Sequence, residues 1–413
     1  MSNALHPFRK YERKPFDAAR CTACGQCLSE CPVMRLPEAD AKQHFAALVA
    51  HWTDGTPLSR KTEKVLRDCT SCFACNLVCP EDCRPTNLFL DIWHRQYQRE
   101  GLPVRARYFL PHSEPNFRTR AVARFPADQR AAIESWKRLD PAEEVFYPGC
   151  NIVASPYLTF SKLFDGLEIR GGLEYCCGEM YFRMGLYEQV EQVAAKLTRY
   201  FRRLGVKRVY ASCTACLNVL SHVLPQFGAD FSGIEFVSFI RLLHDRLASG
   251  ALRISNPLNH VTVTVQDSCH AKIYEEAYYD WPRRILELIG CAIVEAPRSR
   301  QRAHCCGIGA GFSHEAGYGK FDIISGQRAC AANLRASGAQ RIAVYCSGCL
   351  QTQSAAKYVS RTPQPVYHVI ELVQEAIGEK PARRHRKLAF DLLAGTLLRQ
   401  EMGKARFYVP PIE

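Results

Sequence analysis

The sequence predicts an α+β multidomain protein: an N-terminal helical, cysteine-rich unit followed by one α/β unit used twice. Three observations carry this. Nine cysteines fall in two tight groups within residues 1–100, with a helix-patterned spacer between them. Residues 143–250 and 251–378 then run through the same order of β-like runs, helical stretches and cysteines, the mark of a duplication. The whole chain holds 21 cysteines in 413 residues, an odd number, and Met1–Lys14 has no apolar signal core. In a long chain kept in a reducing compartment, that many thiols point to metal rather than to disulfides.

Composition narrows the classes. At 47% hydrophobic and 23% charged the chain is neither disordered nor fibrous. At roughly 150 residues per domain, two to three domains are expected. The longest apolar runs, Ile234–Leu243 and Val261–Val265, fall far short of the roughly 20 residues that span a bilayer. The expected location is therefore cytoplasmic. The net charge is +13, a figure that leaves out any bound cluster.

The elements follow in order. In residues 1–100, Ala41–Trp52 has helical spacing of Phe45, Ala46, Leu48, Val49 and Trp52, and Thr62–Asp68 leads helically into the second cysteine group. Residues 101–142 have no cysteine, many arginines and the prolines Pro103, Pro111, Pro115 and Pro126, and read as a basic linker with one short helix near Ala131–Lys137. Residues 143–250 contain a β-like run to Cys150, then Cys176-Cys177-Gly178, then a helix, turn and strand into Cys213-Thr-Ala-Cys216, and a closing amphipathic helix, Val237–Arg246. Residues 251–378 repeat this with Cys269, Cys305-Cys306-Gly307, Cys346-Ser-Gly-Cys349 and Val369–Ala376. Residues 379–413 read as a tail, basic at Arg383, Arg384, Arg386 and Lys387 and Leu-rich over Leu388–Leu398.

Cys21-Thr-Ala-Cys24-Gly-Gln-Cys27-Leu-Ser-Glu-Cys31-Pro32 fits C-x2-C-x2-C-x3-C-P, and Cys69, Cys72, Cys75, Cys79 and Pro80 fit it again. This spacing lets three thiolates from one turn cap three irons of a cubane, while the fourth ligates the partner cluster. Cluster one is expected on Cys21, Cys24, Cys27 and Cys79, and cluster two on Cys69, Cys72, Cys75 and Cys31. A pair of zinc sites would use four ligands each, but two full four-Cys-plus-Pro runs are typical of [4Fe–4S]. The long helical spacer points to an α-helical ferredoxin domain. Cys83 has no slot and reads as a spare buried thiol.

The repeats carry five thiols each, one more than a tetrahedral zinc or a simple cubane takes. A kinked Cys-Cys-Gly can turn two neighbouring thiols toward one large cluster. Loops after strands converge at one end of an α/β sheet, so distant cysteines can meet there. The plain alternative is structural cysteines; a disulfide between sequence neighbours is strained and rare. Cys291 and Cys330 lie outside the pattern.

At these residues the chain resembles the heterodisulfide reductase family. Its double Cys…Cys-Cys-Gly…Cys-x-x-Cys pattern is similar to the cysteine-rich CCG domains. With the N-terminal ferredoxin it resembles that enzyme's C and B polypeptides fused in that order, the layout of its D polypeptide and of related bacterial electron-transfer subunits. The iron–sulfur subunits of glycolate oxidase and of anaerobic glycerol-3-phosphate dehydrogenase are more distant, and commonly lack part of the Cys-x-x-Cys. The resemblance runs from about Ala18 to Ala376. It implies two [4Fe–4S] cubane clusters in the ferredoxin domain and two noncubane [4Fe–4S] clusters in the CCG domains. One noncubane cluster would use Cys150, Cys176, Cys177, Cys213 and Cys216, the other Cys269, Cys305, Cys306, Cys346 and Cys349. It further implies an oxidoreductase subunit that cleaves a disulfide between the two clusters, with Cys177 and Cys306 lining a shared catalytic cleft. One departure is that the gap from Cys150 to Cys176 is shorter than that from Cys269 to Cys305.

His270 follows Cys269 and His304 precedes Cys305, so both are candidate proton sources, or partners that tune cluster potential through hydrogen bonds. Glu179 and His314 are further candidates. Gly307-x-Gly309-x-Gly311 lacks the lysine of a phosphate loop and reads as tight backbone packing at the metal. No flavin or nicotinamide fingerprint is present in the sequence. The basic balance suits an acidic redox partner; Arg383–Leu398 suits peripheral contact with an anionic membrane face or a solvated basic helix. Nucleic acid is not expected, for want of a module or a basic–aromatic stripe. The implied partners are a flavoprotein or electron-transfer flavoprotein subunit, a membrane cytochrome anchor, or both, in a hetero-oligomer. Two functions follow: reduction of a disulfide or related sulfur substrate, or a pure electron relay between a flavoprotein and a quinone or partner reductase.

Overall fold

Two four-stranded parallel sheets with the same strand order form the body of the protein. They are seen in a computed structural model that describes residues 16–413 except 275, 361, 383–384 and 399–404. The first contains β2 (Glu144–Phe146), β3 (Glu168–Ile169), β4 (Arg208–Ala211) and β5 (Glu235–Ser238), in the order β3-β2-β4-β5. The second contains β6 (Thr262–Gln266), β7 (Ala292–Ile293), β8 (Arg341–Val344) and β9 (Val366–His368), in the order β7-β6-β8-β9. Every pairing within them is parallel. The duplication read from the cysteines is therefore a duplication of topology. Parallel strands need crossovers, and helices such as Tyr187–Leu204 and Lys320–Arg335 supply them.

The N-terminal unit is helical, as expected. Glu38–Asp54 starts after Pro37 with Glu38 and Asp40 in its first turn and stops at Gly55 with φ 80°. Arg60–Asp68 is capped by the Ser59 side chain, which accepts from the Thr62 N–H. Phe45 and Leu48 are buried, and Phe16 meets Phe45 and Trp52 edge-on at 6.1 and 5.6 Å. Helix Pro85–Glu100 leaves this unit and docks on the first repeat, where Tyr187 donates to Asp91 at 2.7 Å.

Three expectations shift. The helix predicted over 237–246 begins at Phe239 and runs to Ala248; Val237 stays in β5, paired with Tyr210 in the ladder, because a buried parallel sheet takes a β-branched residue there. The linker carries two helices: Ala127–Ser135, earlier than predicted, and Phe117–Val122, which an Asn116–Thr119 capping box starts. The last residues are built into the body rather than trailing from it. Helix His385–Leu398 buries Leu388, Ala389 and Leu392, and β10 (Arg406–Phe407) pairs antiparallel with β1 (Leu102–Pro103). Arg383 and Arg384, part of the expected membrane-facing stretch, lie outside the described residues, as does Met1–Lys14. Among the described residues no helix is long and apolar enough to cross a membrane.

Candidate metal centres

In the helical unit the fourth cysteine of each run lies beside the first three of the other. Cys21, Cys24, Cys27 and Cys79 line one pocket of about 290 Å³, together with Cys83. Cys31 instead joins Cys69, Cys72 and Cys75 in one electrostatic neighbourhood. Short turns aim the thiols: Gly25, at φ 80°, starts Gln26–Ser29, and Ala74–Val78 carries Cys75 into Cys79. Backbone N–H groups point at sulfur, from Ala23 to Cys21 at 3.4 Å and from Ser71 to Cys69 at 3.4 Å. Burial pushes the Cys27 and Cys69 thiols well up and Cys31 to about 11, with neighbouring thiols adding to it. Buried thiols stay thiolate when a cation meets them, so eight sulfurs in two sets of four fit two [4Fe–4S] groups by donor chemistry.

The ten repeat cysteines form one continuous row. Each of the five pattern positions sits beyond a strand's C-terminal end, and because all strands run parallel these ends lie together. In the first repeat, Cys150 is hydrogen-bonded to Cys176, Cys176 to Cys177, Cys177 to Cys216 at 3.5 Å, and Cys216 to Cys213. In the second, Cys269 meets Cys305, Cys305 meets Cys306, Cys306 meets Cys349, and Cys349 meets Cys346. The two halves join where Cys213 Sγ and Cys346 Sγ stand 3.6 Å apart, beside Ser212 and Ser347 at 3.3 Å. The order reads the same from either end, so the repeats face each other in pseudo-two-fold fashion. Gly178 and Gly307 take φ 79° and 88° after each Cys-Cys pair, a left-handed turn open to glycine at little cost. Cys213 and Cys346 cap the helices Thr214–Asn218 and Ser347–Val359. Thiols on either side push Cys177 and Cys306 down toward thiolate: Cys176 and Cys216 for the first, Cys305 and Cys349 for the second. Each half offers five thiols on one line, a donor set that fits a multi-iron group. Among the described residues no three such side chains converge tightly enough for a single ion.

Between the halves lies a cleft with about 740 Å³ of space among its atoms, lined by Cys177 and Cys306 and walled by Phe109, Phe117, Phe312 and Leu392. Two fully buried arginines enter it. Arg118, from the linker, donates to the Phe109 carbonyl at 3.0 Å and to Asn151 at 3.3 Å. Arg183 sits one turn after Glu179 and donates to Cys269 Sγ at 3.1 Å. His270 lies in the cleft, with Glu179 2.9 Å from Nε2 and Asn218 2.9 Å from Nδ1. The Asn218 amide nitrogen faces Nδ1, while Nε2 lies between the Glu179 carboxylate and Arg183 Nη2, which is 3.0 Å away. Burial pushes the Glu179 carboxyl up, but Arg183 and His270 hold it down at about 2.

His304 is placed differently. It is buried but does not line the cleft; burial, then Arg298, Arg35 and Lys272, hold it down at about 4. It is therefore neutral near pH 7. His314 is farther off, bonded to Glu100 at 2.9 Å. Lys272 is 1% exposed and donates to the Ala303 carbonyl at 2.9 Å, the step before His304-Cys305. The position that matches it in the first repeat, three residues past Cys150, is Val153. Cys330 is buried beside Cys305, and Gln353 donates to its sulfur at 3.3 Å. Cys291 precedes β7, at the opposite end of the sheet from the row.

The helical unit meets the second half of the row directly. Arg183 also reaches the Thr70 carbonyl at 3.4 Å, within the Cys69–Cys72 loop, and Phe73 packs edge-on against His270 at 5.2 Å. Gly309 is the contact point: a Cβ there would lie 2.4 Å from the Thr70 carbonyl oxygen. That is the tight packing expected of the glycine run. Arg67 clamps Asp322 at 2.7 and 3.1 Å alongside.

Sequence reasoning missed Arg118, Arg183, Lys272 and Asn218. The Glu179–Arg183 spacing of four is a readable helix pair; nothing singles out Arg118 among the linker arginines.

Comparison with known proteins agrees with this architecture. Residues 17–83 match the family described as 4Fe-4S dicluster domain, and residues 145–221 and 263–352 match the cysteine-rich domain CCG. The chain is 24% identical over 396 residues to the D polypeptide of dihydromethanophenazine:CoB–CoM heterodisulfide reductase from Methanosarcina barkeri, covering 87% of this chain and 93% of that protein. It is 25% identical to EtfAB:quinone oxidoreductase of Syntrophomonas wolfei, covering 59% of this chain and 36% of that one. It is 30% identical to the probable iron-sulfur-binding oxidoreductase FadF of Bacillus subtilis, covering 53% and 31%. The chain thus spans about a third of the length of the latter two.

Proposed function

The chain is a heterodisulfide-reductase-like iron–sulfur protein, a 4Fe-4S dicluster domain followed by two CCG domains, and from that premise we propose that it is the subunit of a redox complex that reduces a disulfide or related sulfur substrate in the cleft between its repeats. The observation that carries this is the row of ten thiols, symmetric about Cys213 and Cys346, with both Cys-Cys-Gly turns opening onto one cleft. Two cubane clusters would sit on Cys21, Cys24, Cys27, Cys79 and on Cys69, Cys72, Cys75, Cys31, and two noncubane clusters on the two halves of the row. When bound, these groups supply one-electron carriage. The reaction R–S–S–R′ + 2 e⁻ + 2 H⁺ → RSH + R′SH needs two electrons and two protons.

The chain's own residues meet those needs. The Thr70–Phe73 loop against Gly309 and His270 fixes a short path from the dicluster domain to the second half of the row. Phe109, Phe117 and Phe312 keep water from the cleft. Arg118 and Arg183 favour anionic sulfur on either side of it, and His270, 2.9 Å from Glu179, is the cleft's candidate proton source. His304 takes no part in the cleft; its position suits tuning of the second half.

The relay reading is favoured by the quinone oxidoreductase likeness. In it a flavoprotein or electron-transfer flavoprotein passes electrons to the dicluster domain, near the exposed Cys24, and a quinone or partner reductase receives them. One experiment separates the two. Anaerobically reduced holoprotein is mixed with a panel of disulfides or with a quinone. Reoxidation by a disulfide that stops in both Cys177→Ser and Cys306→Ser supports the cleft; reoxidation by quinone alone supports the relay.

A further inference from the structure

Cys83 has no place in either cubane motif, yet it is not packed as a filler. It is 1% exposed and lines the same pocket as Cys21, Cys24, Cys27 and Cys79. Its sulfur is hydrogen-bonded to Cys21 and to Cys79, and its N–H donates to Cys79 Sγ at 3.3 Å. The backbone takes unusual conformations to put it there. Asp82 and Arg84, on either side, both have positive φ, 53° and 57°, although neither is glycine. Such residues cost on the order of 1 kcal/mol or more each and persist where the surroundings impose them. The Asp17 N–H, at 3.2 Å from the Cys83 carbonyl, holds the turn in place. A buried cysteine serving as a small apolar residue would touch side chains, not two ligand sulfurs at once.

We propose that Cys83 is a reserve fifth ligand of the first cubane site, which takes over the iron held by Cys79 when that bond is broken. The inference rests on the ligand set given above. The exchange is redox-neutral: one iron–sulfur bond forms at Cys83 and one breaks at Cys79, and the proton leaving the Cys83 thiol passes to the Cys79 thiolate beside it. The exchange is short-range, because the two side chains are already hydrogen-bonded to each other. The site would thereby survive damage to one ligand. The second cubane set has no such neighbour among the described residues: Cys75 has the hydroxyl of Thr86 at 2.9 Å where a thiol would be needed.

The test uses full-length protein loaded anaerobically, with iron content and the electron paramagnetic resonance of the reduced clusters as readouts. Cys83→Ala should load like the parent. Cys79→Ala should keep its iron and show the first-cluster signal with altered g-values, while Cys79→Ala/Cys83→Ala should lose that signal and about four irons. An intact second-cluster signal in each variant reports the fold. If Cys79→Ala is as empty as the double variant, Cys83 is no ligand and the inference fails. Cys24→Ala separates this from an error in the ligand set: if it leaves iron and the first signal intact, the set itself is wrong. Should Cys79→Ala not fold, Cys79→Ser takes its place, and a first-site signal that survives in Cys79→Ser/Cys83→Ala overturns the proposal.

Discussion

Replacing Arg183 with glutamine should lower the reduction potential of the second half of the thiol row and leave the first half nearly unmoved. Arg183 is 2% exposed and its Nη2 lies 3.1 Å from Cys269 Sγ. An added electron spreads over a centre larger than one sulfur, so an effective separation of roughly 6 Å is appropriate. At an effective dielectric of ~20 this gives about 3 kcal/mol of stabilisation of the reduced form. For one electron that is roughly a hundredfold in the equilibrium, or on the order of 120 mV. Glutamine keeps a donor for the Thr70 carbonyl but removes the charge. It also takes from Glu179 its ion-pair partner 2.8 Å away, and burial then pushes that carboxyl up toward its neutral form, which offsets part of the loss, so 120 mV is an upper figure. Lys272→Met should shift the same centre in the same direction by less, since Lys272 stands beside the Cys305 backbone rather than on a sulfur. The assay is a potentiometric titration followed by electron paramagnetic resonance, with Cys150→Ser used to assign the first half. A shift under about 20 mV, or an equal shift in both halves, would refute the reasoning.

Three further outcomes are expected. Gly309→Ala should slow electron transfer from the dicluster domain to the second half by at least tenfold in rapid-mixing experiments, without loss of iron, because its Cβ would meet the Thr70 carbonyl oxygen at 2.4 Å and push the loop away; unchanged transfer would remove Gly309 from the path. Anaerobic protein should carry about 16 irons, falling by about four in Cys24→Ser, whereas a fully active preparation with half the iron would show that the repeats hold no clusters. His112, bonded to Tyr181 at 2.8 Å, is held at about 4 by burial, then by Lys196 and Arg118, so the unfolded chain binds its proton first as pH falls. Stability should therefore be complete above about pH 7.5 and drop by about 2 kcal/mol between pH 7.5 and 5, a slope that His112→Gln flattens in urea titrations.

Much of this is legible because the cysteines report covalent spacing, which is local. The C-x2-C-x2-C-x3-C-P runs imply the exchange of Cys31 and Cys79, and the recurrence of five positions implies two sheets of one topology. Helix boundaries are readable where a cap is local, as for Val369–Ala376, which the structure reproduces residue for residue. What is not legible depends on contacts between segments far apart in sequence. Arg118 looks like any other linker arginine until the linker packs against Asn151, and the tail looks free until Asp391 meets Arg124. Cys83 looks spare because its companion Cys21 arrives from 62 positions earlier, through a turn built on Asp82 that no sequence pattern announces. His304 is picked out only by adjacency to Cys305, and adjacency along a chain turns successive side chains to different sides.

The pseudo-two-fold row of thiols has a consequence for how the two halves came to differ. Two separate copies of one repeat, meeting through the same serine and cysteine pair, would have had to share every neighbour equally. Joined in a single chain, each half can be given its own surroundings. One receives a cation from the segment that precedes it; the other receives a cation from its twin, a lysine where its twin has a valine, and the dicluster loop. Covalent linkage thus turns an interface that symmetry would have made equal-sided into one with two distinguishable sides, and a single substitution at the seam can be felt by one half alone.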